Sequence, residues 1–273
     1  MGEKAIKKII AVASGKGGVG KSTVAVNLAL ALAKNGAKVG ILDADIYGPS
    51  QPAMLGALGE RPAFENGVLQ PIERHGLKSM SIGYLIDAEA PVVWRGPMLG
   101  KALQQLLQDT NWGSLDYLVI DLPPGTGDVQ ITLCQKIAVS GAVIVTTPQD
   151  LALLDVKRAC EMFVKLSVPI LGVIENMSVY HCSQCGHAEQ IFGAGGGAKL
   201  CQQFQCEYLG AIPLMMQIRE MTDSGTPPVA SAPDSPYAKV FLDAAAKLVA
   251  VLAKQPKDFS SSFPKIVVEH TKK

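Results

Sequence analysis

Apolar positions along this chain alternate between two rhythms. Short, largely apolar runs at Ile9–Ala13, Lys38–Leu42, Tyr117–Ile120, Ala142–Thr146, Ile170–Ile174 and Tyr208–Ile212 have the length of strands buried on both faces. Between them, Ser22–Lys34, Pro97–Gln108, Val129–Ala138, Leu151–Leu166, Gly197–Phe204 and Tyr237–Leu252 carry apolar residues at helical spacing. Val68–Pro71 and Leu77–Ile82 are weaker strand patterns. Gly48, Pro49, Pro52 and Gly56 predict an irregular stretch with at most a short helix. Strand–helix alternation of this kind predicts an α/β fold of three layers, α/β/α, with a mainly parallel sheet. Functional loops should then gather at the carboxyl ends of the strands. No repeat or linker interrupts the pattern, so one domain is expected over residues 1–257, followed by a tail at 258–273. Strand order is not readable from the pattern.

The strongest local signal sits between the first strand and the first helix. Gly15-Lys16-Gly17-Gly18-Val19-Gly20-Lys21-Ser22-Thr23 is a P-loop: closely spaced glycines let backbone N–H groups curve around phosphate oxygens, and the following helix N-terminus adds its free donors. In that pattern Lys21 is the β/γ-phosphate cation and Ser22 the magnesium-ligating hydroxyl. A second lysine, Lys16, is unusual. Tyr117–Ile120 closes on Asp121, a carboxylate placed to hold Mg2+ directly or through water. Asp121 continues into Leu122-Pro123-Pro124-Gly125-Thr126-Gly127-Asp128, a stiff, tight loop suited to sensing a γ-phosphate. Asp43 and Asp45, two residues apart after the second strand, would share a side if the chain stays extended. Asp45 is the expected water-orienting residue and Asp43 a further Mg2+-side contact, although both could simply cap the Ile46–Gly48 turn. ATP hydrolysis is favoured over phosphoryl transfer, since no acceptor-binding pattern is evident.

Composition narrows the partners. A net charge of +1 offers no basic field for nucleic acid. No apolar run approaches a bilayer span, and no secretory leader is apparent, so a cytoplasmic protein without stable membrane association is expected. Six cysteines in 273 residues do not resemble a secreted disulfide framework. Cys134 and Cys160 fall inside helix patterns and read as core residues, as do Cys201 and Cys206. Cys182-Ser183-Gln184-Cys185 differs: two thiols three apart in a polar loop can point at one metal centre, yet supply only two ligands. Either His181 and His187 complete a zinc site within the chain, or two copies meet across a two-fold axis. A redox dithiol has the same spacing.

Together the Lys16-bearing loop, Asp43-Ala44-Asp45-Ile46-Tyr47-Gly48-Pro49-Ser50 and Asp121–Asp128 resemble the Mrp/ApbC family of P-loop ATPases, relatives of MinD and of the nitrogenase iron protein. The resemblance runs from Ile9 to the terminal helix. It implies a homodimer in which Lys16 reaches the nucleotide of the other subunit while Lys21 serves its own. It implies that Asn176, expected just after a strand ending at Glu175, and Pro213, expected in a later loop, lie beside the adenine base. It further implies that Cys182 and Cys185 of two subunits ligate a labile [4Fe–4S] cluster, received from a donor scaffold and passed to recipient apoproteins. The small N-terminal domain or cysteine cluster of some members does not precede the phosphate-loop strand, so one shared cluster site is expected. Rival readings are a MinD-like positioning ATPase, which would want an amphipathic terminal helix, and a chaperone for zinc or another metal.

Overall fold

The computed structural model describes residues 6–85 and 96–255; the expected tail at 258–273 lies outside them. The first half contains β1 (Ile6–Ser14), α1 (Lys21–Lys34), β2 (Val39–Asp43), α2 (Gln51–Met54), β3 (Phe64–Glu65), β4 (Val68–Leu69), β5 (Ile72–Arg74), β6 (Leu77–Ser81) and α3 (Gly96–Gln108). There follow β7 (Leu115–Asp121), α4 (Asp128–Lys136), β8 (Gly141–Thr146), α5 (Asp150–Lys165), β9 (Ile170–His181) and β10 (Ala188–Glu189). The chain closes with α6 (Gly196–Phe204), β11 (Glu207–Leu214), α7 (Met216–Asp223), α8 (Pro228–Ser231) and α9 (Pro236–Lys254).

Strands β6, β2, β7, β1, β8, β9 and β11 lie side by side and parallel. Antiparallel β5 edges the sheet beyond β6, and β10 pairs with the far end of β9. β1, carrying the phosphate loop, is flanked by β7 and β8 near the sheet's middle, where neighbouring strands leave in opposite directions. This is the crevice in which open α/β sheets bind ligands.

Strand alternation splits the core in two. Ala11 and Ala13 of β1, Leu118 and Ile120 of β7, and Ala142 and Ile144 of β8 face α3, α4, α5 and α6, whose Leu103, Leu133, Phe163 and Leu200 pack there. Ile10, Val12, Val119, Val143 and Val145 face the other way, onto α1 and α9. The expected three-layer α/β/α fold with a mainly parallel sheet is therefore observed. α1 is buried over Val24–Leu32, which explains its nearly uniform Ala/Leu/Val sequence.

Several elements differ from the sequence expectation, among them the short strands β3, β5 and β10 and three larger features. β9 runs seven residues past Ile174, because its outer half has β10 on one edge and β11 on the other. α7 and α8 carry too few apolar positions to announce themselves; Ile218 and Thr222 are the buried residues of α7. No described helix is long and apolar enough to cross a membrane.

Phe163 and Phe241 are fully buried, one in each half of the core. Phe163→Ala and Phe241→Ala should each cost about 3–5 kcal/mol by denaturant unfolding. Because the sheet separates them, the double variant should equal the sum to within about 0.5 kcal/mol.

Candidate functional site

The phosphate loop grows from the carboxyl end of β1, and the chain must reverse before α1 can start. Gly18 and Gly20 make that reversal in the left-handed region, at φ +80° and +79°. Space dictates glycine as well. A Cβ on Gly15 would lie 2.3 Å from the α5 backbone at Asp155 and Val156, and one on Gly20 would lie 2.2 Å from Asn176 Nδ2. α1 has no side-chain N-cap, so its first-turn N–H groups remain available to an anion. They border an open cavity of about 280 Å³, lined by the phosphate loop with Asp45, Ser50, Met54 and Pro124. Pro124 faces Gly17 from the Asp121–Asp128 loop, which is tied to β1 by Gly125 N–H donating to the Ser14 carbonyl at 3.0 Å.

Parallel register sets Val12, Asp121 and Asp43 abreast on β1, β7 and β2. Lys21, 6% exposed, reaches across from α1 and donates to Asp121 Oδ1 at 2.5 Å; Asp121 is fully buried. The same ammonium lies 3.2 Å from Ser22 Oγ and 3.7 Å from Asp45 Oδ2. The other Asp121 oxygen accepts from Gln51 Nε2 at 2.8 Å, and that amide also donates to the Ser22 carbonyl at 3.1 Å. The candidate residues Lys21, Ser22, Asp45 and Asp121 thus converge on one point.

Asp43 and Asp45 part company. β2 ends at Asp43, so extended alternation does not carry through to Asp45 and the two carboxylates take different directions. Asp43 turns inward and accepts from the backbone N–H groups of Asp45, Ser50 and Gln51 and from Ser81 Oγ, all at 3.0–3.1 Å. It organises the loop that delivers Asp45. Burial and the facing charge of Asp121 outweigh those donors and push the Asp43 carboxyl up to about 7. Asp45 borders the cavity; burial raises its pKa, opposed by Lys21 and by the amides of Gly48 and Tyr47. The turn-capping alternative therefore describes part of what both residues do.

β9 joins this site to the cysteines. Asn176 and Pro213 sit inside strands, not in loops, and are neighbours: Asn176 pairs with Ile212, the residue before Pro213. Asn176 is buried and donates through Nδ2 to the phosphate-loop carbonyl of Val19 at 2.8 Å. Pro213 has no N–H, and the β9–β11 register breaks there. Across from that break Met177 adopts φ +55°, with its methyl group facing the Gly20 position. Glu175, also buried, accepts from Gly197 N–H at 2.6 Å and anchors the start of α6.

Six residues beyond Asn176, Cys182 opens a hairpin in place of the expected loose loop. Cys182 N–H donates to the His187 carbonyl at 2.9 Å, and Gly186 N–H donates to the Cys182 carbonyl at 2.8 Å. The amides of Cys185 and Gln184, with the Cys185 thiol, point at the Cys182 sulfur and hold its pKa below the usual thiol range. Cys182 is partly exposed and Cys185 exposed. Among the described residues no group of three or more His, Cys, Asp or Glu is arranged to hold a metal ion, so His181 and His187 do not complete a zinc site with the pair. Three further thiols are core: burial pushes Cys134 up to about 11 and Cys160 up to about 12, and buried Cys201 donates to the Glu207 carbonyl. Cys206 is only partly buried at the core's edge, and a hydrogen bond with Cys201 lowers its pKa. Lys16 is half-buried, and its ammonium has no partner among the described residues. Gln51, Ser50 and Glu175 gave no sequence signal; their roles arise from contacts made 29 to 70 residues away for Gln51.

The chain matches the family model "ParA: NUBPL iron-transfer P-loop NTPase" over residues 5–249. An iron-sulfur cluster carrier protein of Escherichia coli K12 is 57% identical over 252 residues, 92% of this chain and 68% of that protein. The mouse iron-sulfur cluster transfer protein NUBPL is 50% identical over 253 residues, 92% of this chain and 79% of that one. Among solved structures, a nucleotide-binding protein from Archaeoglobus fulgidus in complex with ADP superposes with a TM-score of 0.74 at 38% identity, covering 86% of this chain and 91% of that one. The cell-division ATPase MinD of Pyrococcus furiosus, at 23% identity and a TM-score of 0.68, shares the fold.

Two substitution tests follow from this geometry. Gly18→Ala meets open space and should cost only the left-handed backbone penalty, about 1–2 kcal/mol by urea unfolding. Gly20→Ala should add about 1–3 kcal/mol by displacing the Asn176 amide. The raised Asp43 pKa also fixes a sign: the folded chain keeps a proton that the unfolded chain releases above about pH 4. Its stabilising contribution is complete below that pH and is lost as pH rises through about 7. Asp43→Asn should flatten the urea midpoint across that window.

Proposed function

Because the chain belongs to the family of iron-transfer P-loop NTPases, we propose that it is an ATP-hydrolysing carrier of a labile [4Fe–4S] cargo. Two copies hold the cargo between them, take it from a donor scaffold and pass it to recipient apoproteins. The observation that carries this reading is the Cys182–Cys185 hairpin: two thiols turned together by backbone donors, with no third ligand among the described residues. A site that offers half of a four-thiolate set, at an exposed hairpin tip, is completed most simply by its own copy. The reading includes a cytoplasmic location, no stable membrane association and no nucleic-acid partner, the last supported by the near-zero net charge.

The phosphate loop from Gly15 to Thr23 takes the triphosphate, with the amides of Gly17, Gly18, Val19 and Gly20 and the α1 N-terminus around its oxygens. Lys21 is already aimed at this cavity and holds the β/γ-phosphates, giving up part of its pairing with Asp121. Mg2+ fits the donor set: the Ser22 hydroxyl and the Asp121 carboxylate would hold it, and two buried oxygens beside them, Ser50 Oγ and Gln51 Oε1, have no partner among the described residues. Bound there, Mg2+ supplies charge that offsets the phosphates and eases loss of the γ-phosphoryl group. Asp45 orients the attacking water, and its raised pKa suits a group that shares a proton with it. Lys16, without a partner among the described residues, crosses to the phosphates of the other copy. Asn176 and Pro213 form the base-side edge, with Asn176 also holding the Val19 carbonyl.

β9 gives ATP a route to the cargo. Nucleotide that shifts the phosphate loop acts on Asn176 and Met177, and the cysteine hairpin begins about 20 Å further along the same strand. Met177, in a backbone region costly for a non-glycine residue, lies between the two. Hydrolysis then works as a timer for cargo retention, not as chemistry on iron or sulfur.

After anaerobic reconstitution the chain should bind about four iron and four sulfide per dimer. Cys182→Ala and Cys185→Ala should each abolish this, while ATP binding persists. Zinc without acid-labile sulfide would select the metal-chaperone reading, and a folded, ATP-binding chain that takes up neither iron nor zinc would favour a positioning ATPase. Lys16→Ala should lower ATP turnover at least about tenfold and remove the effect of ATP on cluster transfer to an apoprotein.

A further inference from the structure

Gln51 is 1% exposed and bonds both fully buried aspartates of the nucleotide site, Asp43 and Asp121. Its backbone N–H donates to Asp43 Oδ2 at 3.0 Å. Its side-chain amide donates to the Ser22 carbonyl at 3.1 Å and to Asp121 Oδ2 at 2.8 Å. Two acceptors on Nε2 fix the orientation of the carboxamide, because a flipped group would set its oxygen against a carbonyl and a carboxylate. The carbonyl oxygen, Oε1, is then left buried with no donor among the described residues. An acceptor stranded in this way carries a desolvation penalty until a donor arrives. Its two amide partners belong to Ser22 and Asp121, the residues assigned above to Mg2+, which places the carboxamide beside that ion's proposed position.

We propose that Gln51 is a positioning residue for Mg2+: its carbonyl oxygen accepts a hydrogen bond from a metal-bound water while its amide holds Asp121 and the Ser22 backbone in place. The inference rests on the nucleotide-binding reading above. It assigns the Asp43–Gln51 loop a second task. Besides presenting Asp45, the loop ties the hydration of the metal to β2 through Asp43, so metal and water-orienting carboxylate move together. Groups around a metal's ligands fix those ligands' geometry and commonly matter tenfold or more for affinity.

The test is titration of the full chain with a fluorescent ATP analogue, in EDTA and across a range of Mg2+ concentrations. Gln51→Met keeps length and burial but has neither donor nor acceptor. It should raise the Mg2+ needed for half-maximal tightening about tenfold, with affinity in EDTA within about twofold of the unaltered chain. Gln51→Leu, which also removes both polar groups, should show the same Mg2+-specific loss. Equal weakening of Gln51→Met with and without Mg2+ would mean the residue only shapes the loop, and would overturn the proposal. So would a folded Gln51→Met or Gln51→Leu that responds to Mg2+ normally. If Gln51→Met does not fold, Gln51→Leu carries the same test. An unaltered chain that binds no nucleotide would bring down the proposed function itself, a result distinct from normal binding with an indifferent Gln51.

Discussion

The contact on which the site depends is the buried pair of Lys21 and Asp121. Neither charge is tolerable alone in that position: the lysine is 6% exposed and the aspartate fully buried. Removing one partner from such a pair commonly costs about 3–5 kcal/mol, since the survivor keeps its desolvation penalty. The pair therefore fixes α1 against β7 and sets where the phosphate loop can lie. It also explains why polar groups collect nearby. Gln51 supplies the second Asp121 oxygen, Asp45 stands 3.7 Å from the ammonium, and Asp43, abreast of Asp121 in the next strand, is pushed toward neutrality. A phosphate or a metal enters a site whose charges are already balanced internally and must rearrange that balance.

β9 is the second organising element. Along twelve residues it contributes Glu175 to the start of α6, Asn176 to the phosphate loop, Met177 to the irregularity opposite Pro213, and the first stem of the cysteine hairpin. Parallel pairing with β8 ends at Thr146 and Glu175, so the outer half of the strand leaves the sheet's main body. The strand therefore runs from the phosphate-loop contact at Asn176 to the stem of the cysteine hairpin. Its weak point is the Met177–Pro213 region, where the ladder is interrupted.

Asp43 ends β2 and Asp45 lies just beyond it, and their spacing alone misplaces them. Asp43 shapes a loop, whereas Asp45 faces the cavity. The difference arises from where β2 stops and from the three amides that turn back onto Asp43. Spacing in the sequence cannot supply that, because it depends on the loop's closure onto Gln51.

Much of this architecture was legible in the chain itself. Runs such as Ile9–Ala13 and Ala142–Thr146 are buried on both faces and so declare themselves without alternation; the helices between them declare themselves by spacing. The phosphate-loop pattern with Lys21 and Ser22 was equally plain, because its residues lie together in the chain, and Asp121 stood out as the carboxylate closing a strand; the pairing of Asp121 with Lys21, 100 residues away, was not legible. Strand order, the full length of β9, the strand positions of Asn176 and Pro213, the hairpin around Cys182 and Cys185, and every contact of Gln51 were decided by tertiary structure. Apart from the cysteine hairpin, which closes locally between Cys182 and His187, these depend chiefly on partners far away in sequence, such as Asp121 for Gln51 or Val19 for Asn176, and a local pattern records no trace of a partner that only folding brings near.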